Sequence, residues 1–234
     1  DIAELSQNIE NLLSSSRILK DSRSVKAGLA HIDNGTEIFI KKYNRKTIGD
    51  DIKNIFRRSK AFKSFLTALY CHRVNVPVPA PVASIQIRSS RVLIASYLVT
   101  LAIPNPIKTD KFFIRASKDE DLKDIYLKSL ANILASLHIA GVRHRDAKLS
   151  NFYVSESPDS SYEKIQFGTW DLDGSEILTS QLAKKACELE LARTLASWAQ
   201  LEKKHKMQNS KSSVAIKLSK FYNEFSFYQI DPSI

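Results

Sequence analysis

The octet HRDAKLSN, residues 144–151, decides how this chain is read. It joins a run of helical periodicity to one of strand periodicity, and it sets a histidine, an aspartate, a lysine and an asparagine at fixed offsets in a polar turn. Upstream, KDEDLKDIYLKSLANILASLHIAG places Leu122, Ile125, Tyr126, Leu130, Ile133, Leu134 and Leu137 on one face, with acids in its first turn and Gly141 at its end. That pattern predicts a helix with complementary charge at its start and a glycine stop. Downstream, NFYVSE and KIQFGTWDL predict two short strands around the polar turn SPDSSY. Histidine and aspartate are ordinary turn residues, so the octet takes its meaning from the order of elements around it.

Working toward the N-terminus, RVLIASYLVT and ASIQIR predict two strands, and the prolines of PVPAPV end whatever helix precedes them. That helix is IGDDIKNIFRRSKAFKSFLTALYCHRVNV, one long element or two short ones, with Ile52, Ile55, Phe56, Phe62, Phe65, Leu66 and Leu69 spaced at three and four. Before it, RILKDSRSVKAGLAHIDNGTEIFIKKY predicts three strands, with Asn34-Gly35 as a two-residue hairpin turn. The opening DIAELSQNIENLL predicts a short amphipathic helix through Ile2, Leu5, Ile9, Leu12 and Leu13. The connector LAIPNPIKTD then separates a sheet-rich part, residues 1–100, from a mainly helical part, residues 101–234, that is helical again from about Leu178. The expected fold class is α+β: two lobes of one domain, the first a small antiparallel sheet with one helix.

Thirty-five Lys and Arg against twenty-five Asp and Glu give a formal charge of +10, which favours anionic partners such as nucleotides, phosphorylated glycans or anionic headgroups. No aromatic-interleaved basic motif appears, so a nucleic-acid partner is not expected. Cys71 and Cys187 have neither CxxC nor Cys/His spacing, which signals no disulfide framework or zinc site and suits a reducing cytoplasm. No apolar run approaches the roughly 20 residues that span a bilayer, so a chain in solution or at most peripheral to a membrane is expected. From Lys41 to Lys63 basic residues dominate, either as a solvated face or as a contact for phosphorylated glycolipid or an anionic membrane surface.

Phosphoryl transfer asks little of a protein: an anchor for nucleotide phosphates, a carboxylate that orients the attacking hydroxyl, and oxygen ligands for magnesium. Each has a candidate in the chain. Asp146 supplies the carboxylate, Lys148 two residues on a charge for the moving phosphoryl group, and Asn151 five residues on a side-chain oxygen for the metal. These positions match the protein-kinase catalytic loop HRDxKxxN. In WDLDG, twenty residues after Asn151, Asp171 stands where that pattern places its second metal ligand, with Asp173 near enough to compete. Upstream, IFIK in the third strand reproduces three apolar residues and a lysine, so Lys41 fits the phosphate anchor best; Lys42 points to the opposite face by strand alternation, so one of the pair, Lys41 or Lys42, serves. ATP and Mg2+ are the cofactors this set calls for.

Over about residues 17–200 the chain resembles the lipopolysaccharide core kinases, the heptose and Kdo kinases with an atypical protein-kinase fold. The resemblance is carried by LKDSRSVKAG, IFIKKYN, RRSKAF, VPVPAPVAS, LHIAGVRHRDAKLSNFYV and WDLDG. It implies ATP-dependent phosphorylation of an inner-core sugar hydroxyl at the cytoplasmic face of the inner membrane. The chain departs from the kinase pattern in three places. KDSRSVKAG replaces GxGxxG, which leaves backbone N–H groups around Ser22, Arg23 and Ser24 to hold phosphate. KAFKSFLTAL offers Ser64 and no acid where a glutamate usually pairs with the lysine, and no APE element follows Asp171. Glu190, in CELELARTLASW, stands where kinases brace the catalytic loop from below, and equally suits a solvated helix position. His144 reads as a structural member of its loop and His138 as a helix-end packing residue. The alternatives are a small atypical Ser/Thr protein kinase and a noncatalytic nucleotide sensor or scaffold.

Overall fold

A computed structural model describes residues 2–32, 35–44, 58–89, 92–156, 165–207 and 210–233. The chain divides into two compact units, one of residues 1–70 and 79–102, the other of residues 71–78 and 103–234.

The first unit is built on a five-stranded antiparallel sheet of β1 (Arg17–Asp21), β2 (Val25–His31), β3 (Glu37–Asn44), β4 (Pro81–Ser89) and β5 (Val92–Leu101), in the order β1-β2-β3-β5-β4. Helix α1 (Ile2–Ser15) lies on one face and drives Ile9 and Leu13, each 1% exposed, among Ala30, Ile38, Ile40, Ala83, Ile85, Ala95, Tyr97 and Val99. Burying a side chain of that size contributes about 1.5–3 kcal/mol. Period-two alternation in β3 sends Ile38 and Ile40 to that face, Lys42 with them, and leaves Phe39, Lys41 and Tyr43 on the other. The β2–β3 connection runs through residues 32–36, with Ile32 N–H donating to Thr36 O and Gly35 at φ +78°. It is longer than the expected two-residue turn, and Asn34 lies outside the described residues. Helix α2 (Lys60–Arg73) is the described part of the expected long helical stretch; Ile52, Ile55 and Phe56 also fall outside.

The second unit centres on helix α4 (Glu120–Ile139), buried along much of its length at Leu122, Tyr126, Leu127, Leu130, Ile133, Leu134 and Leu137. The Asp119 carboxylate caps it by accepting the Leu122 N–H at 3.1 Å, with Glu120 and Asp121 in the first turn. Helix α3 (Thr109–Ala116) precedes it and buries Phe112, Phe113 and Ala116. Phe112 meets Tyr126 edge-on at 5.0 Å and Phe113 meets Trp198 at 4.8 Å. This helix was not expected: the prolines of the connector end only three residues before it, and eight residues are too few to establish a period. Strands β6 (Pro106–Ile107), β8 (Phe152–Glu156) and β9 (Ile165–Thr169) form one small sheet, β7 (Val142–Arg143) and β10 (Glu176–Ile177) another. A single 3-10 turn, Leu149–Asn151, precedes β8, and helices α5 (Lys184–Lys204) and α6 (Lys211–Phe225) complete the unit. The expected turn SPDSSY lies outside the described residues. Cys71 and Cys187 are buried free thiols, and among the described residues no helix is long and apolar enough to cross a membrane.

Gly141 ends α4 at φ +72°, and a Cβ there would lie 2.6 Å from Ser180 O and 2.8 Å from Leu178 O. Both obstacles are backbone, held by the Leu178 N–H to Gly141 O and Leu182 N–H to His138 O hydrogen bonds. Gly141→Ala is therefore expected to cost at least about 1–2 kcal/mol from the left-handed conformation alone. In a thermal melt the midpoint should fall by at least about 2 °C.

Candidate active site

In the octet, burial and exposure follow a division of labour. His144, Ala147, Leu149 and Asn151 are buried, while Arg145, Asp146, Lys148 and Ser150 are exposed. Helix α5 anchors the buried side through one line of polar residues at helical spacing, Glu190, Thr194 and Ser197. Glu190, fully buried, accepts the backbone N–H of His144 at 3.1 Å and that of Arg145. The Thr194 hydroxyl donates to Ala147 O at 2.8 Å, and the Ser197 hydroxyl accepts the Leu149 N–H at 3.0 Å. From the other side the Ser175 hydroxyl donates to His144 O. Arg145 takes φ +69°, uphill for a residue with a Cβ, and the Glu190 carboxylate holds its N–H.

Asp146 and Lys148 pair at 2.8 Å with side chains 52% and 49% exposed. The Asn151 amide donates through Nδ2 to both Asp146 Oδ2, at 2.9 Å, and Asp146 O, at 2.8 Å. Two acceptors on one side fix the orientation of that amide and direct its oxygen away from Asp146. Burial raises the Asp146 pKa, but the hydrogen bonds from Lys148 and Asn151 outweigh it and hold the carboxyl below its ordinary range. The group is ionised at neutral pH.

The β8–β9 pair brings the second acidic element to the same place. The Trp170 N–H donates to Asn151 O at 3.0 Å, so Asp171, next in the chain and at φ +54°, follows directly from a residue bonded to Asn151. Asp173 lies two residues further, in the turn that Gly174 closes at φ +80°. His144 packs beneath: its Nε2 lies 3.0 Å from the Thr169 hydroxyl, which donates to Asn151 O at 2.9 Å. Burial lowers the His144 pKa, and the imidazole is a neutral spacer with Nε2 as donor.

In the first unit Lys42 Nζ donates to Glu10 at 2.6 Å on the α1 face, where Tyr97 O–H donates to the same carboxylate. Burial opposes ionisation of Glu10, yet these bonds prevail and its pKa is lowered. Lys41 Nζ lies 5.3 Å from the Tyr43 ring centre on the opposite face. In the β1–β2 turn the Ser22 N–H donates to Val25 O at 2.9 Å, and the Ser22 hydroxyl both donates to Val25 O and accepts the Val25 N–H. The Ser22 donor is thus spent inside the turn, and Asn44 donates to the carbonyls of Ser22 and Arg23. Most of the basic stretch from Lys41 to Lys63 lies outside the described residues.

Of the two meanings open for Glu190, a solvated position is excluded by its burial. His138, read as packing, is in fact hydrogen bonded, with Nε2 on Glu190 at 3.1 Å and Nδ1 on the Tyr222 hydroxyl at 2.8 Å. Thr194 and Ser197 were missed, although polar residues four and three apart on an otherwise apolar face are a legible signal.

The family profile described as "Lipopolysaccharide kinase (Kdo/WaaP) family" matches residues 17–214. No curated protein matches the chain. Among solved structures, "WaaP in complex with acyl carrier protein" superposes with a TM-score of 0.67 at 16% identity, covering 93% of this chain and 81% of that one. At that identity the likeness speaks for a shared mixed α/β fold, while the profile spans most of the chain. The chain belongs to the lipopolysaccharide kinase (Kdo/WaaP) family, and as a kinase of that family it is a phosphotransferase.

Proposed function

We propose that the chain transfers the γ-phosphoryl group of ATP to a hydroxyl of a lipopolysaccharide inner-core sugar, a heptose or Kdo, as a two-lobed kinase-like enzyme at the cytoplasmic face of the inner membrane. The observation that carries the reading is the octet itself: its backbone is held at His144, Arg145, Asp146, Ala147 and Leu149 while Asp146 and Lys148 face solvent. Such a loop presents its charged side chains from a backbone that is already in place.

In this reading the Asp146 carboxylate orients the acceptor hydroxyl and takes its proton as the new P–O bond forms and the bond from the γ-phosphorus to the β,γ-bridging oxygen breaks, releasing ADP. Lys148 leaves its pairing with Asp146 to meet the equatorial oxygens of the moving phosphoryl group. Asn151, whose amide nitrogen is committed to Asp146, keeps its oxygen for a cation, and Asp171 adds a carboxylate; hard oxygen donors of this kind suit Mg2+. When bound, Mg2+ neutralises charge on the nucleotide phosphates. Lys41 anchors those phosphates, and with the Ser22 donor spent, the backbone grip falls to Arg23 and Ser24.

The test is a phosphotransfer assay with ATP and Mg2+ across core glycolipid and protein acceptors. Label on extracted glycolipid supports the proposal; label on protein alone, or ATP binding without turnover, overturns it. Lys41 and Lys42 supply an internal comparison. Lys41→Ala is expected to lower kcat/KM for ATP about a hundredfold. Lys42→Ala should leave turnover in place and cost about 0.2–1 kcal/mol of stability, as a partly exposed ion pair does.

A further inference from the structure

Arg145, directly before Asp146, sits at φ +69°, a left-handed conformation that is uphill for a residue with a Cβ. What holds it is Glu190, and Glu190 is itself held. Its Oε1 takes the Arg145 N–H, and its Oε2 takes both the His144 N–H and His138 Nε2. A carboxylate only accepts, so His138 Nε2 carries the hydrogen in that contact. The other side of the imidazole, Nδ1, rests on the Tyr222 hydroxyl at 2.8 Å, with the two rings edge-on at 5.7 Å. His138 and Glu190 are nearly or wholly buried and Tyr222 is fully so, which leaves no water to replace a lost partner.

We propose that Tyr222, on the last helix of the chain, is a positioning residue for the catalytic loop, acting through His138 and Glu190 on the backbone of His144 and Arg145. The contacts run without a gap from α6, through the end of α4, to α5 and then to the residue before Asp146. Tyr222 lies beyond the segment, residues 17–214, that the family profile matches, so the device adds to what the profile describes. Helix α6 is firmly placed for the task. Glu202, buried on α5, accepts the Ser210 N–H at its start, and the Asn223 side chain pairs with both backbone groups of Ile230 beyond its end. Without the Tyr222 hydroxyl the imidazole loses its oxygen partner at Nδ1 and keeps only Glu190 and the neighbouring Cys187 thiol. It then swings off Glu190, and the carboxylate follows it away from the loop.

The inference rests on the proposed phosphotransfer for its kinetic readout and is independent of it for its structural one. In the full chain, Tyr222→Phe keeps the ring and removes the hydroxyl. Its kcat is expected to fall about tenfold, the worth of one buried hydrogen bond, with KM for ATP unchanged within about twofold. Amide exchange should accelerate over residues 142–151. Leu218→Ala, a buried change one turn earlier on the same helix that leaves the Tyr222 hydroxyl in place, should cost stability yet leave loop exchange and kcat unchanged. In a Glu190→Gln background, Tyr222→Phe should add no further loss. Unchanged loop exchange in Tyr222→Phe, an equal response in Leu218→Ala, or full additivity with Glu190→Gln would each overturn the proposal. If the wild-type chain turns over no acceptor, the functional reading fails while the exchange comparison still decides the coupling.

Discussion

Asp146→Ala is expected to lower phosphotransfer by about 10²–10⁴-fold while the chain still folds. The two halves of that expectation have separate causes. The side chain is 52% exposed, its ion pair with Lys148 is shared with solvent, and its remaining tie is one hydrogen bond from Asn151. Losing these costs about 1–2 kcal/mol of stability. What disappears from the reaction is the carboxylate beside the attacking hydroxyl, which no neighbouring oxygen on the loop can replace. Because Lys148 and Asn151 hold the Asp146 pKa low, the wild-type rate should not fall from protonation of this group until the pH is below its ordinary value of 3.8. The check is turnover per folded molecule, with folding followed by circular dichroism. Turnover equal to wild type in Asp146→Ala would sink the assignment of the octet.

The largest stability loss is expected at Glu190. Glu190→Ala leaves the buried N–H of His144 and the part-buried N–H of Arg145 without acceptors and His138 without its carboxylate. Breaking such a buried arrangement from one side costs about 3–5 kcal/mol, or about 10 °C in melting temperature for a chain of this size. Glu190→Gln retains one acceptor oxygen and should fall between the two. Burial lowers the His138 pKa, but the hydrogen bonds to Cys187 and Glu190 outweigh it and leave it raised. Burial likewise raises Glu190, and its bonds to His138 and the loop backbone leave it lowered. The contribution of His138 is complete below 6.5 and is lost as pH rises through its raised pKa. That of Glu190 is complete above 4.5 and is lost as pH falls through its lowered pKa. Melting temperature should therefore decline on the alkaline side of 6.5 in the wild type, and Glu190→Gln should flatten that limb. A limb of unchanged slope in the variant would separate the pair from the loop.

Much of this could be seen in the amino-acid order because the relevant signals are local. The strand period that separates Lys41 from Lys42, the acids and glycine bounding α4, and the offsets within HRDAKLSN all lie within a few residues of what they determine. Contacts made at long sequence separation left weaker traces. Glu190 meets the loop 45 residues away, and Tyr222 meets His138 across 84. No local rule pairs such residues. Glu10 illustrates the same limit: the kinase pattern places the acid that meets the third strand in the following helix, whereas the carboxylate that reaches that strand comes from α1 and takes Lys42. Helix α3 escaped because its two buried phenylalanines draw their meaning from Tyr126, Phe167 and Trp198, none of which is a neighbour in sequence.

Helix α1 shows that the profile match and a self-sufficient sheet have different borders. The profile match begins at residue 17, after α1 has ended at Ser15. Yet Ile9 and Leu13 roof Ile38, Ile40, Tyr97 and Val99, and trimming the chain to the matched segment would lay that apolar face of the sheet open to water and to other chains. The smallest portion that keeps this sheet face dry is longer than the segment the profile matches.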